Sequence, residues 1–101
     1  MPSGYVHVQI RYYLDRETGE PHIYSHDVNE REVEEVLRGR GEDLQAPRDS
    51  RRKIGQTSTG RYLQVIYVPD EGPNAVFVIT AYELRGKAMV AFRRRQRRKS
   101  R

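Results

Sequence analysis

The stretch 51-RRKIGQTSTGRYLQVIYVPDEGPNAVFVITAY-82 contains three consecutive strand-like segments separated by two short turns. β-branched and aromatic residues dominate residues 61–69 and 75–82, and the second of these segments is almost wholly apolar. Such a segment is expected of a central strand that is buried on both faces. The turns 58-STG-60 and 70-DEGPN-74 are too short for a crossover, so consecutive strands must run in opposite directions. The stretch therefore predicts a three-stranded antiparallel meander.

A helical pattern follows the meander on its C-terminal side. Leu84, Ala88, Ala91 and Phe92 recur at helical spacing, so we expect them to face the sheet along a helix that begins near Leu84 or Arg85. After Phe92 the apolar stripe ends, and basic residues occupy seven of the last ten positions. Because a helix without an apolar stripe has little tertiary support, residues 93–101 are expected to form a basic tail that frays.

An acidic helix is predicted on the N-terminal side of the meander. Asn29 is placed to cap this helix, and Glu32 follows three residues later, which is the spacing of a capping box. Glutamates crowd its first turns, where negative charge complements the helix dipole. Gly39 or Gly41 is expected to end it.

The remaining segments complete a single domain over residues 1–101. Residues 5–14 predict a strand, and residues 22–25 an extended piece that pairs back on it as a hairpin. Residues 39–50 are polar and predict a loop. The predicted fold class is therefore α+β, with an antiparallel sheet of three to five strands, an acidic N-terminal helix and a basic C-terminal helix.

Charge is distributed unevenly along the chain. Residues 1–46 hold 10 Asp or Glu against 5 Arg, whereas residues 47–101 hold 14 Lys or Arg against 4 Asp or Glu. A basic region of this kind is the electrostatic footprint expected for a phosphate backbone. The chain has no cysteine and no run of 18 apolar residues, so we expect a soluble cytoplasmic protein without disulfides, thiolate zinc or a membrane partner.

Three short motifs occur in a suggestive order. They are His26-Asp27-Val28 before the first helix, 55-GQTSTGR-61 between two strands, and Ile79-Thr80-Ala81 before the last helix. In this order they resemble small proteins of the BrnT-like type, which are similar in fold to the RelE and ParE toxins of bacterial toxin–antitoxin pairs. Members of that group typically show His-Gly-Val, Gly-x-Thr-x-x-Gly-Arg and Ile-(Ser/Thr)-Ala at these places.

The resemblance implies an α+β fold of RelE type and a messenger-RNA endonuclease that a partner antitoxin holds in check. Two departures bear on the activity. Asp27 stands where the group usually has glycine, and Tyr82 stands where the group typically places an arginine. The chain is thus also compatible with a relative that binds RNA without cutting it.

RNA cleavage of this type needs a group that takes a proton, a group that gives one, and cations that stabilise the phosphoryl oxygens. Candidate catalytic residues are Arg52, Arg61, Tyr82, Glu83 and His26. Further basic residues are candidates for nucleic-acid binding, since guanidinium and ammonium groups bind phosphate. They are Arg51, Lys53, Arg85, Lys87, Arg93, Arg94, Arg95, Arg97, Arg98 and Lys99.

The leading hypothesis is a toxin-like RNA-binding protein, a candidate endoribonuclease, whose basic surface is formed by residues 51–61 and 85–99. One alternative is a non-catalytic module that binds nucleic acid or a protein through the same surface. A third is a small interaction domain whose basic tail only aids solubility. His22 and His26 are four apart but lack a third ligand in the sequence, so neither a metal nor a cofactor is expected.

Overall fold

The two short turns bring three strands together as an antiparallel meander in the computed structural model, which describes residues 9–99. Two further strands extend the meander to a five-stranded sheet, and an α-helix packs on each face of it. The α+β class is therefore confirmed. The strands are β1 (Gln9–Tyr12), β2 (Glu42–Gln45), β3 (Arg51–Gln56), β4 (Tyr62–Pro69) and β5 (Ala75–Glu83). The helices are α1 (Glu30–Arg38) and α2 (Gly86–Lys99), with a short 3-10 helix at His22–His26.

The strand order is β1-β5-β4-β3-β2, and the sheet is mixed, not wholly antiparallel as expected. β1 is the described part of the strand predicted over residues 5–14. It pairs in parallel with β5, with Gln9 opposite Ala75 and Tyr12 opposite Val78. Parallel neighbours need a long connection, and here α1 and the other three strands all lie between the paired segments in the chain. No local pattern specifies such a distant pairing.

The prediction of an extended piece at residues 22–25 was wrong. Leu14 and Pro21 do pair as an antiparallel bridge, but the chain then enters the 3-10 helix. This turn buries Ile23 in the core and leaves His26 exposed. Asp27 ends the turn at φ 59°, a left-handed conformation that glycine adopts freely and aspartate tolerates better than most residues.

The loop predicted at residues 39–50 contains the edge strand β2, which was missed. β2 pairs antiparallel with β3 although only Glu42 of its four side chains is buried. An edge strand with polar side chains lacks the apolar alternation that marks a strand in sequence. Gly41 precedes it because a Cβ at this position would overlap the carbonyl oxygen of Ile54.

The capping of α1 is confirmed. The Asn29 side chain accepts from the Glu32 backbone N–H at 2.9 Å, and the Glu32 carboxylate accepts from the Asn29 backbone N–H at 3.1 Å. These two bonds satisfy helix N–H groups that have no partner within the helix. The helix ends at Gly39, as expected.

The main core lies between α1 and one face of the sheet. Val33 and Val36 of α1 pack in one buried cluster with β4 and β5 side chains such as Leu63 and Val78. Gly55 of β3 helps this approach, since a Cβ there would lie 3.3 Å from the carbonyl oxygen of Arg40, just after α1, and 3.4 Å from Cγ1 of Val36. The acidic helix is thereby fixed on this face.

A smaller core lies under α2 on the opposite face. Phe92 and Leu84 pack against Ile54 of β3, with Met89 beside them. The expected stripe was partly wrong, because Leu84 precedes the helix and Ala88 is exposed.

The helix continues through Lys99. The fraying expected for residues 93–101 stays a prediction, and its last two residues lie outside the described part. Within residues 9–99, no helix combines the length and apolar character that crossing a membrane requires.

Candidate nucleic-acid interface

An open groove of about 850 Å³ lies beside α2, where β3 ends and β4 begins, and arginines dominate its lining. Four of them belong to α2, where the spacing of Arg93 with Arg97 and of Arg94 with Arg98 brings side chains together on the helix surface. The fifth is Arg40, from the segment after α1. No carboxylate among residues 9–99 lines this groove. We call it the arginine groove, and its cations are Arg40, Arg93, Arg94, Arg97 and Arg98.

These five arginines lack anionic partners within the described part of the chain. None of them lies within 4.0 Å of a carboxylate oxygen there. The guanidinium of Arg93 instead stacks over the Tyr62 ring, 5.8 Å from its centroid. Like charges that line one groove, without a carboxylate partner among residues 9–99, attract an external anion.

Two other predicted phosphate ligands are neutralised at the β2 edge. Arg51 pairs with Asp43 at 2.9 Å. Arg95 donates from Nη2 to Glu42 Oε1 at 2.8 Å, and this bond lowers the pKa of the largely buried Glu42 carboxyl. Both pairs link β2 to a neighbouring element, since Arg51 lies on β3 and Arg95 on α2. In the free chain these two side chains therefore serve the fold.

Lys53 lies on the α1 face of the sheet, as Arg51 does, and not on the α2 face. Its Nζ donates to the backbone oxygen of Gly39 at 2.9 Å, at the carbonyl end of α1. A cation there satisfies carbonyls that the helix leaves open. The expected single surface formed by residues 51–61 and 85–99 is therefore divided between the two faces of the sheet.

Three further candidates keep exposed side chains. Arg52 and Lys99 line a depression of about 580 Å³ beside the Glu42–Arg95 pair, on the opposite flank of α2 from the arginine groove. Lys87 is exposed in the first turn of α2. Arg52 was predicted to be catalytic, but it does not join the other catalytic candidates.

A second cleft, of about 630 Å³, lies where the 3-10 helix meets the free end of β5. It brings together three predicted catalytic residues, His26, Tyr82 and Glu83, with Arg85. The His26 ring lies 5.6 Å from the Tyr82 ring, centroid to centroid. We call it the histidine cleft, and its full lining is His22, Ser25, His26, Thr80, Tyr82, Glu83 and Arg85.

Sequence reasoning missed the role of His22 in this cleft. Its ring centroid is 5.2 Å from that of His26, and its Nδ1 lies 2.8 Å from Oδ1 of Asp15. Asp15 reaches the ring because the turn after β1 folds back through the Leu14–Pro21 bridge. In the sequence, His22 was considered only as a metal ligand, whereas His26, Tyr82 and Glu83 were already catalytic candidates; the spacing of four between the two histidines was the signal that linked His22 to them.

Arg61, another predicted catalytic residue, is not among the lining residues of the histidine cleft and reaches toward α1. Its Nη1 donates to the Glu32 carboxylate at 2.8 Å and to the carbonyl oxygen of Asp27 at 2.9 Å. The Glu32 carboxylate raises the pKa of Arg61 further above its ordinary value. Arg61 Nε also lies 3.8 Å from Glu83, which pairs with Arg85 at 2.9 Å. Glu83 thus lies between two guanidinium groups.

A third, smaller cleft of about 440 Å³ lies between the arginine groove and the histidine cleft. It shares Tyr62 with the groove and shares Glu83 and Arg85 with the histidine cleft. The three depressions therefore form one path across this side of the molecule. An extended ligand held by α2 can follow it to the two histidines.

Comparisons with models of protein families, with curated proteins and with solved structures find no match to this chain. The resemblance to BrnT-like toxins therefore stays a prediction. Among residues 9–99, no three His, Asp or Glu side chains form a group that could hold a metal ion.

Proposed function

We propose that this protein binds RNA by holding the phosphate backbone in the arginine groove. The observation that carries the proposal is the convergence of five arginines without a carboxylate among the described lining residues. Guanidinium groups bind phosphate through paired, charge-assisted hydrogen bonds. Because no partner within residues 9–99 must be displaced from these arginines, the attraction to phosphate is not offset by a lost salt bridge.

A single strand suits this groove better than a duplex. Tyr62 lines the groove, and an unpaired base that displaces the Arg93 guanidinium can stack on its ring. The lining has no carboxylate for reading bases, and arginines that bind phosphate give affinity without sequence choice. We therefore propose binding with weak sequence preference, in the cytoplasm, where messenger RNA is translated.

Direct binding measurements test the proposal. Fluorescence anisotropy with a labelled single-stranded RNA compares the wild-type chain with R94Q/R98Q and with the control R16Q/R31Q. The control loses the same charge from two exposed arginines outside the groove. We expect the dissociation constant to rise about tenfold or more for R94Q/R98Q and to change less than about twofold for the control. Equal weakening of both variants, or no binding by the wild type, contradicts the proposal.

The larger hypothesis is an RNA-cleaving toxin of a toxin–antitoxin pair, as the resemblance implies. Expression in bacteria tests it, because a toxin of this kind arrests growth and fragments messenger RNA. R94Q/R98Q should lose both effects while the control keeps them. RNA binding without growth arrest would instead identify a non-catalytic binding module.

A protein partner is the second candidate, and the open sheet face beside α2 favours it. Strand pairing places Leu44, Ile66 and Tyr82 on this face, and Leu44 and Tyr82 are exposed. An acidic partner with an apolar strip, such as an antitoxin, would complement both this face and the arginine groove. Competition between such a partner and RNA for the wild-type chain checks this assignment.

A further inference from the structure

We propose that the histidine cleft cleaves the RNA, with His22 as general base, His26 as general acid and Asp15 as the residue that positions His22. This inference rests on the proposed RNA binding. It adds a catalytic centre, apart from α2, that includes two residues not predicted to be catalytic, His22 and Asp15. Imidazole is suited to the task because it accepts and donates protons near neutral pH.

The contact between Asp15 and His22 decides which histidine is the base. A carboxylate only accepts hydrogen bonds, so Nδ1 of His22 carries the proton in the 2.8 Å contact with Oδ1. Nε2 is then left with a lone pair for a substrate proton. When His22 takes that proton, the adjacent carboxylate stabilises the imidazolium that forms. Asp15 therefore acts through His22 and does not touch the substrate.

His26 lines the same cleft, with its ring in an edge contact with the ring of His22. The two imidazole centroids are 5.2 Å apart, close enough for both rings to reach groups on one phosphodiester. The His26 ring also contacts Tyr82, 5.6 Å away, which fixes one of its flanks. In this position it can donate a proton to the 5′-oxygen, which leaves phosphorus on the side opposite the attacking 2′-oxygen.

The charged groups around the histidines suit a phosphodiester. Arg85 lines the cleft with its side chain largely exposed, and its only carboxylate partner in the described part is Glu83. A phosphate entering the cleft can compete for this guanidinium, since exposed salt bridges contribute little. Arg85 would then stabilise charge on the phosphoryl oxygens.

The reaction is an internal transesterification. His22 Nε2 takes the proton of the ribose 2′-hydroxyl, and the 2′-oxygen forms a bond to phosphorus. The bond between phosphorus and the 5′-oxygen breaks, and that oxygen takes the proton of His26. The products are a 2′,3′-cyclic phosphate and a 5′-hydroxyl, and no co-reactant is consumed.

The test uses the full chain, a labelled single-stranded RNA and excess EDTA, under single-turnover conditions. We expect H22Q and H26Q each to slow cleavage by about 100-fold or more while the dissociation constant for RNA stays within about twofold of wild type. The control Y24F removes a hydroxyl on the same 3-10 helix that bonds to Glu30 outside the cleft, and it should cleave normally. RNA with a 2′-deoxy sugar at the cleavage position should stay intact.

A second substrate assigns the roles. Replacing the 5′-oxygen of the RNA by sulfur gives a leaving group that needs no proton. This substrate should therefore be cleaved by H26Q, which lacks only the general acid, but not by H22Q, which lacks the general base. D15N should cleave about tenfold more slowly than wild type on both substrates, because it impairs only the base. A merely structural loss in D15N would show in its thermal unfolding, which we expect to be unchanged.

The outcomes separate the two proposals. If wild-type protein binds RNA but leaves it intact, or if H22Q and H26Q cleave like wild type, the histidine cleft is not the catalytic site and RNA binding still stands. If sulfur rescues H22Q instead of H26Q, the assigned roles are wrong. If wild-type protein does not bind RNA, the proposed function fails first.

Discussion

At the scale of single residues, Glu42 is a nearly buried carboxylate whose charge stabilises the fold. Its side chain is only 8% exposed, and it accepts two hydrogen bonds from Arg95, with Arg52 and Lys99 nearby. A carboxylate buried this far is tolerated only because cations compensate its lost hydration. The pair also anchors the middle of α2 to the edge strand β2.

The Glu42 carboxyl should make stability depend on pH. Its pKa in the folded chain is lowered, first by the Arg95 hydrogen bond, so its contribution is full well above the ordinary value of 4.5 and is lost as pH falls through the folded value. We expect E42Q to unfold about 1–2 kcal/mol more easily at neutral pH, with allowance for the half-exposed Arg95. Urea unfolding from pH 7 to pH 3 should show the difference from wild type shrinking toward acid. A constant difference would contradict the assignment.

Residue-scale prediction succeeds where the needed partner is close in sequence. The Asn29–Glu32 capping box could be predicted because its two members are three positions apart. The Asp15–His22 contact could not, because it depends on how the turn after β1 folds back. For the same reason Arg95 was predicted to bind nucleic acid, because its partner Glu42 lies 53 positions away in the chain.

At the scale of elements, α1 depends on its first turn. Asn29 caps the helix, Glu32 closes the box, and the Glu32 carboxylate also accepts from Arg61 at the start of the neighbouring strand. The first turn therefore joins helix and sheet through one carboxylate. The glycine-containing turn before Arg61 is ordered by Thr57, whose Oγ1 accepts from the Arg61 N–H at 3.1 Å.

Removing the cap should weaken the whole domain. We expect N29A to cost about 1 kcal/mol, because an orphaned helix N–H loses its acceptor. For a chain of this length that corresponds to a lower melting temperature by about 4–8 °C. N29D keeps an acceptor oxygen and should melt close to wild type, as followed by circular dichroism. Equal losses for N29A and N29D would show that the side-chain acceptor is not what matters.

Element-scale prediction failed where local pattern is weak. β2 has mostly polar side chains and forms because the main chain at Gly41 can approach Ile54 closely. The 3-10 helix at His22–His26 contains β-branched and aromatic residues that also suit a strand, and tertiary burial of Ile23 decides between them. Both outcomes depend on contacts that are distant along the chain.

At the scale of the whole molecule, the sheet separates two electrostatic environments. The acidic helix α1 packs on one face and the arginine-rich α2 on the other. The charge asymmetry of the sequence therefore becomes a spatial one, although Glu42 lies on the α2 side of the sheet, where it pairs with Arg95. The arginine groove is predictable in part, since the α2 cations were evident, whereas Arg40 joins it only through the fold.

The salt dependence of RNA binding should report how many phosphates the arginine groove contacts. Binding of single-stranded RNA releases about 0.7 counterion for each phosphate that is neutralised. We therefore expect the slope of log K against log salt concentration to become shallower by about 1.4 in R94Q/R98Q, with no change in R16Q/R31Q. Anisotropy titrations at several KCl concentrations measure both slopes. Parallel slopes for wild type and R94Q/R98Q would place the phosphate contacts elsewhere.

The parallel pairing of β1 with β5 has a consequence for how the chain is made. The first strand finds its neighbour only at residues 75–78, near the opposite terminus. During synthesis at about 5–20 residues per second, β1 is made several seconds before β5, the strand with which it pairs. Until β5 has been made, β1 has no strand to pair with, and the five-stranded sheet cannot form.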